Sequence, residues 1–196
     1  MSVRGFVTCY NFWARVKGKL FTTLCRGDFS HLGQRVMLQP PMRLAGSRHI
    51  SIGDRVFIGP NSWLEVIAGD RSRDATAIRI GSGTCLSGFG TITAVRQVVI
   101  EPNVLIARYV YISDHSHAYA SPDLPIKQQG ISKIAPVRIG EGAWLGQNVV
   151  ICPGVTIGRN AVIGANSVVR DDVPDFCIAA GAPARVIRST SSIIAR

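Results

Sequence analysis

Of the four histidines in this chain, two stand almost side by side in Asp114-His115-Ser116-His117. Imidazole has an ordinary pKa near neutrality, so it can take a proton from a hydroxyl and give it back later in the same reaction. A carboxylate directly before such a ring can hold it in one tautomer, which makes Asp114 a candidate support for a general base. The same four residues also read as a solvated loop with an exposed aspartate. His31 and His49 have no adjacent carboxylate and read as structural or surface residues. Tyr109 and Tyr111 precede the pair and Asp123 follows it. Rings stack on sugar faces and carboxylates bind hydroxyls, so these three are candidate acceptor contacts.

The elements that must position these residues show as a repeat. Ile139, Leu145, Ile151, Ile157, Ile163 and Val169 recur every six residues, and Gly140, Gly146, Gly158 and Gly164 directly follow four of them. Neither a helix nor an ordinary strand has that period, but a short strand followed by a corner does. Three hexads close one triangular coil with an aliphatic pointing inward on each side, and stacked coils bury the aliphatics in continuous columns. The small residue beside each aliphatic is expected to serve the tight corner. The same triplet is legible upstream as Leu32, Leu38, Leu44; Ile52, Ile58, Leu64; Ile80, Leu86, Ile92; and Ile100, Ile106, Ile112. The sequence thus predicts an all-β chain, a parallel β-helix over residues 31–173 built of six coils and roughly 29 Å tall at the usual strand spacing.

The period fails in two places, where the chain must leave the prism. Residues 69–76 are polar and predict a short excursion. Residues 118–136 predict a longer loop between the fourth and fifth coils, and loops of that length are usually functional. After Pro174 a C-terminal tail runs over residues 174–196. Before the prism, residues 1–30 form a basic, aromatic segment in which Phe6, Tyr10, Trp13, Leu20 and Leu24 share a stripe at helical spacing.

Charge and composition narrow the function classes. The net charge is +10, and Arg4, Arg15, Lys17, Lys19 and Arg26 all precede the first acidic residue, Asp28. That concentration predicts a local anionic partner; contact of residues 1–26 with an anionic membrane surface is one reading, and a helix capping the open end of the prism is the other. The basic residues form no stripe beyond this segment, which argues against nucleic acid. No run of about 18 uncharged apolar residues is present to span a bilayer, and the N-terminus lacks the pattern of a secretory signal. Cys9, Cys25, Cys85, Cys152 and Cys177 are odd in number and scattered, without a C-x-x-C. They predict neither a disulfide framework nor a zinc site, and fit a cytoplasmic setting, free or peripheral at the inner face of the membrane.

From Val137 the sequence VRIGEGAWLGQNVVICPGVTIGRNAVIGANSVVRDDVP, followed by AAGAPARVIR, strongly resembles the hexapeptide-repeat acyltransferases, in particular the galactoside, maltose and nodulation-factor acetyltransferase branch. Upstream, YISDHSHAYASPD resembles the histidine segment of that branch, and the likeness covers about residues 31–188. The resemblance implies a left-handed wind, a homotrimer, and acetyl-CoA bound in the cleft between neighbouring prisms, with no metal. It also implies acetyl transfer to a sugar hydroxyl. The unlinked Asp-His-x-His form is similar to enzymes that acetylate polysaccharide sugars, a lipid-linked glycan among the possible acceptors.

Residue by residue, the resemblance places His115 at the family's catalytic histidine, whereas hexad register would put His117 in the equivalent rung. Both stay open as the base, the other binding or orienting the acceptor. Trp144 matches the tryptophan lining the CoA channel. Gln147 matches a backbone N–H that serves the thioester carbonyl, and Ala165 a main-chain CoA contact. Relatives commonly carry Thr-Lys where this chain has Arg170-Asp171. The departure leaves Arg170, with Arg185 and Arg188 of the tail, as candidates for the CoA phosphates. Transfer to the amine of an amino sugar or antibiotic fits the same repeats, as does a non-catalytic scaffold. A zinc hydrolyase of the gamma carbonic anhydrase type would need a third histidine from His31 or His49, too far down the prism.

Overall fold

An aliphatic residue at every sixth position requires a backbone that turns a corner between one inward side chain and the next. In the computed structural model, which describes residues 3–67 and 76–189, the chain does so around a triangular prism with one parallel sheet on each side. Leu32, Ile52, Ile80, Ile100, Ile139 and Ile157 stack in direct register on the first face. Leu38, Ile58, Leu86, Ile106, Leu145 and Ile163 do so on the second. Leu44, Leu64, Ile92, Ile112, Ile151 and Val169 do so on the third. All but Leu32 and Leu44 of the first coil are at most 2% exposed, so the columns are continuous and dry. Each such side chain contributes about 1.5–3 kcal/mol of burial, the main stabilising term of six coils whose strands run only two to four residues.

The glycines beside the aliphatics work differently from the sequence expectation. Gly140, Gly146, Gly158 and Gly164 do not adopt positive φ. They are small because the next coil passes too close: a methyl group at Gly146 would lie 2.7 Å from the Ala165 nitrogen and 2.8 Å from the Ile163 oxygen. The left-handed corner falls two residues later, at Gly142 (φ 69°), Asn148 (57°), Asn160 (51°) and Asn166 (59°). Asparagine and glycine suit that region, which resists most side chains.

Both ends of the prism are covered. Beyond the sixth coil, Val173 bridges to Ile157, and Cys177–Gly181 lies parallel on the second face with Ala179 above Ile163. Ala184–Ser189 then folds back antiparallel as the last strand of that sheet. The repeat therefore runs past Pro174 into a partial seventh turn. At the other end, helix α1 (Val3–Leu24) meets the first coil, where Thr22 Oγ1 accepts the Leu38 N–H at 2.9 Å, an edge donor that would otherwise have no strand below it. Of the two predicted departures, residues 69–75 lie outside the described residues. The longer one begins at Ser116 and has structure of its own: Ser116–His117 pairs antiparallel with Ile131–Ser132, and a 3-10 turn, Ile126–Gln128, lies between them.

The stacking account predicts opposite effects at two glycines. Gly146→Ala should lower stability by about 1–3 kcal/mol through overpacking. Gly5→Ala, where a methyl would meet nothing within 4 Å, should raise helix stability by about 0.5–1 kcal/mol. Thermal unfolding of the two variants checks both, and an unchanged Gly146→Ala would show that the neighbouring coil can move away.

Candidate active site

The histidine motif sits at the edge where the third face turns toward the first, as the fourth coil closes. Asp114 is fully buried there. Its carboxylate accepts the N–H groups of Val95 at 2.8 Å and of Arg96 and Gln97 at 2.6 Å, the corner of the coil below. Its carbonyl accepts the Ala135 N–H at 2.8 Å, where the chain returns from the arm. The alternative of an exposed loop aspartate is thereby corrected: three inward N–H groups make a carboxylate-shaped hole, and an ionised acceptor fills it. Asp114 Oδ1 also stands 2.9 Å from His115 Nδ1. Ser113 Oγ donates to the His115 carbonyl at 2.8 Å and accepts its N–H at 3.2 Å, which fixes the ring's backbone.

An ionised carboxylate can only accept, so this network assigns the proton to Nδ1 and leaves the Nε2 lone pair unprotonated. Nε2 has no hydrogen-bond partner among the described residues. His115 is largely buried, 8% exposed. Ser116, the next residue, lines a groove of about 360 Å³ with Lys133, Ile134 and Ala135 of the returning arm and Cys152, Pro153 and Arg170 of the coils above. Burial pushes the Cys152 thiol above its ordinary value, with Arg170 opposing, so the sulfur is protonated at neutral pH. His117 lies elsewhere: it is exposed on the arm opposite Ile131, because the chain leaves the coil before the hexad register would bring it onto a rung.

The other sequence candidates fall on different parts of the prism. Trp144 projects from the second face, 49% exposed, between Leu105 below and Val162 above. Ile178 continues that outward ladder, and Arg188 lies beside Ile178. Gln147 and Ala165 occupy the edge between the second and third faces, where the Gln147 carbonyl accepts the Asn166 N–H at 2.8 Å. Their own N–H groups form no bond to the described residues. Within one chain the third face, with Tyr111, Val150 and Val168 outward, separates this edge from His115. Arg170 is the one predicted phosphate contact on the histidine's edge. Arg185 is engaged by Asp171 at 2.9 Å, so this aspartate carries its own counter-ion. An exposed pair of this kind is worth about 0–1 kcal/mol and can yield to a phosphate. Asp123 is exposed on the outer arm.

Tyr109 has company the sequence reading missed. It stands at a left-handed corner (φ 62°), as does Phe89 (54°), one coil below. Their rings stack at 4.9 Å, and the Arg108 guanidinium lies 4.6 Å over Phe89. Both residues sit three places after an inward aliphatic, Leu86 and Ile106, so extending the register to corner positions would have paired them.

Residues 136–171 match the bacterial transferase hexapeptide (six repeats) family, and residues 49–73 match the hexapeptide repeat of succinyl-transferase. The galactoside O-acetyltransferase of Escherichia coli is 34% identical over 87% of this chain and 85% of its own length. The chain belongs to the hexapeptide-repeat acetyltransferases. Its prism is therefore the left-handed parallel β-helix of that family.

A Mycobacterium tuberculosis protein assigned by name to the acetyltransferases is 35% identical over 91% of this chain. An Escherichia coli protein assigned by name to lipopolysaccharide-biosynthesis O-acetyl transfer is 39% identical over 50% of it. This chain spans only 56% and 53% of those two relatives. Among solved structures, a Vibrio cholerae hexapeptide-repeat acetyltransferase complexed with acetyl-CoA is 30% identical, with a TM-score of 0.58 over 86% of this chain and 75% of its own. An N-acyltransferase from Bacillus cereus shares the fold, at 19% identity and a TM-score of 0.71 over 88% of this chain and 90% of its own. Among the described residues of this hexapeptide-repeat chain, no three His, Cys, Asp or Glu side chains gather as they would to hold a metal ion.

Asp114→Asn should cost about 3 kcal/mol or more, because the amide turns its own donors toward N–H groups whichever way it is placed. Chemical denaturation measures this, and a loss below about 1 kcal/mol would mean that the corner is held by something else.

Proposed function

We propose that this chain is an acetyl-CoA-dependent O-acetyltransferase acting on a sugar hydroxyl, with His115 as general base. The observation that carries the reading is the buried Asp114–His115 contact of 2.9 Å, which leaves Nε2 without a partner among the described residues. In the forward step Nε2 takes the hydroxyl proton as the sugar oxygen attacks the thioester carbonyl. The resulting oxyanion needs donors, and the open N–H of Gln147 is the candidate. Collapse breaks the carbon–sulfur bond, and the proton on Nε2 passes to the departing thiolate, giving free CoA and the sugar ester. Acetyl-CoA supplies the activated acyl group; the chain supplies the base, its orientation and the groove.

Because the third face separates His115 from Trp144, Gln147 and Ala165, the reaction needs a second copy of the chain to bring the two halves together. A homotrimer does so by setting the histidine edge of one prism against the CoA-binding edge of the next. Arg170 and Arg188, with Arg185 released from Asp171, are the cations offered to the CoA phosphates. Tyr109, Tyr111 and Asp123 remain the candidate acceptor contacts. The named roles of the galactoside and lipopolysaccharide relatives favour a glycan acceptor, and the five free cysteines fit the reducing cytoplasm.

Acetyl transfer from acetyl-CoA to a panel of glycans and amino sugars tests the reading. His115→Ala should lower kcat by about 10²–10⁴-fold while leaving CoA affinity unchanged, and His117→Ala should change kcat far less. Transfer to amines alone would replace the O-acetyl assignment. Activity lost in His117→Ala but kept in His115→Ala would move the base onto the arm.

A further inference from the structure

Helix α1 docks the wrong way round for an ordinary amphipathic helix. The face it lays on the prism is built of small residues: Gly18 is buried so close to Met37 that a methyl there would lie 2.6 Å from the sulfur, and Thr22 is buried on Leu38. Phe21 alone among its large apolar residues packs partly against the core. The sequence's apolar stripe is turned about a third of a turn away at helical spacing. Phe6, Tyr10, Trp13, Leu20 and Leu24 are all between 55% and 73% exposed. A helix that has already found its place on a protein normally buries such a stripe.

The charge around the stripe selects what covers it. No acidic residue occurs before Asp28. Lys17 falls within the stripe at helical spacing from Tyr10, Trp13 and Leu20; Lys19 is exposed next to Leu20 on the flank, and Arg15 lies on the opposite side of the helix. Rings that are apolar with a polar edge, aliphatics on the same face and a lysine among them in a segment without acidic residues suit the boundary of a negatively charged bilayer. No described helix is long and apolar enough to cross a membrane, so the contact would lie in the surface plane.

We infer that α1 is a docking surface for an anionic lipid bilayer, entered by the Phe6, Tyr10, Trp13, Leu20 and Leu24 side chains and held by Lys17 within the stripe and Lys19 at its flank. The cap on the prism and the membrane contact use different faces of one helix. His115 closes the fourth coil, so it stands three coil spacings, roughly 14 Å along the axis, from the coil on which α1 rests. That is within reach of a headgroup-linked acceptor, but the docking itself does not depend on the transfer reaction.

Flotation of the intact protein with vesicles tests this, comparing phosphatidylcholine alone with phosphatidylcholine mixed with phosphatidylglycerol. The wild type should float with the mixed vesicles, weakly with the neutral ones, and less as salt is raised. F6S/W13S/L20S should reduce the partition about tenfold or more, and K17E/K19E by a similar factor. Failure to float with the mixed vesicles would overturn the proposal. Should the apolar variant not fold, K17E/K19E decides alone, and undiminished binding by it would overturn the proposal as well. A smaller oligomer in F6S/W13S/L20S, read by light scattering, would give the stripe to a second copy of the chain instead.

Discussion

Every coil of this protein must lie directly on the one before it, with its three inward aliphatics above three others. Strand spacing leaves roughly 4.8 Å for each layer, and that single constraint propagates through the molecule. It leaves no room for a side chain where some corners pass close to the next coil, as at Gly146 under Ala165. It places the left-handed residue at a constant offset, so asparagine and glycine recur there. It also directs bulk outward. The faces carry Trp63, Leu105, Tyr111 and Trp144 on their outer side because the interior has no room for a ring. A longer segment can leave only at a corner, where the backbone already turns away from the ladder.

The histidine site uses one such departure. The chain leaves the third face after Ser113, and Asp114 stays behind as a buried wedge that ties two successive corners together. The same carboxylate aligns the ring of His115. Fold stability and ring orientation therefore share one side chain, whose four hydrogen-bonding directions are all used. The returning strand, fastened through the Ala135 N–H, supplies one wall of the groove, so the arm is a structural part of the site. The Arg170-Asp171 departure from the family pattern reads differently in three dimensions. Arg170 lines this groove, and Asp171 pairs with Arg185 of the C-terminal hairpin.

At the opposite end the same need for edge satisfaction shapes α1. The first coil exposes strand donors, and Thr22 accepts one of them; Gly18, one helical turn earlier, packs against the Met37 side chain. With small residues committed to that contact, the large apolar side chains of the helix have no place on the prism. Their exposure follows from how the cap is made, and it leaves a surface whose aromatic and cationic character calls for something other than water.

The repeat was fully legible from the residues, because an inward aliphatic every six positions has one simple backbone solution, and all six triplets read along the chain stack in the same triplets. The aspartate–histidine pairing was legible as a possibility, since adjacency in sequence does not say whether a carboxylate is buried. Only the tertiary structure decided that it is, by bringing residues 95–97 beneath Asp114 from seventeen to nineteen positions away. Likewise the hexad register could not show that His117 leaves the prism, because the register counts residues and the arm is an insertion in space. The stacking of Phe89 on Tyr109, the Asp171–Arg185 pair and the inverted seating of α1 also required coordinates. The physical division is that periodicity records which side chains face inward, whereas contacts between corners, and the choice of which helix face docks, depend on distances that one coil sets for another.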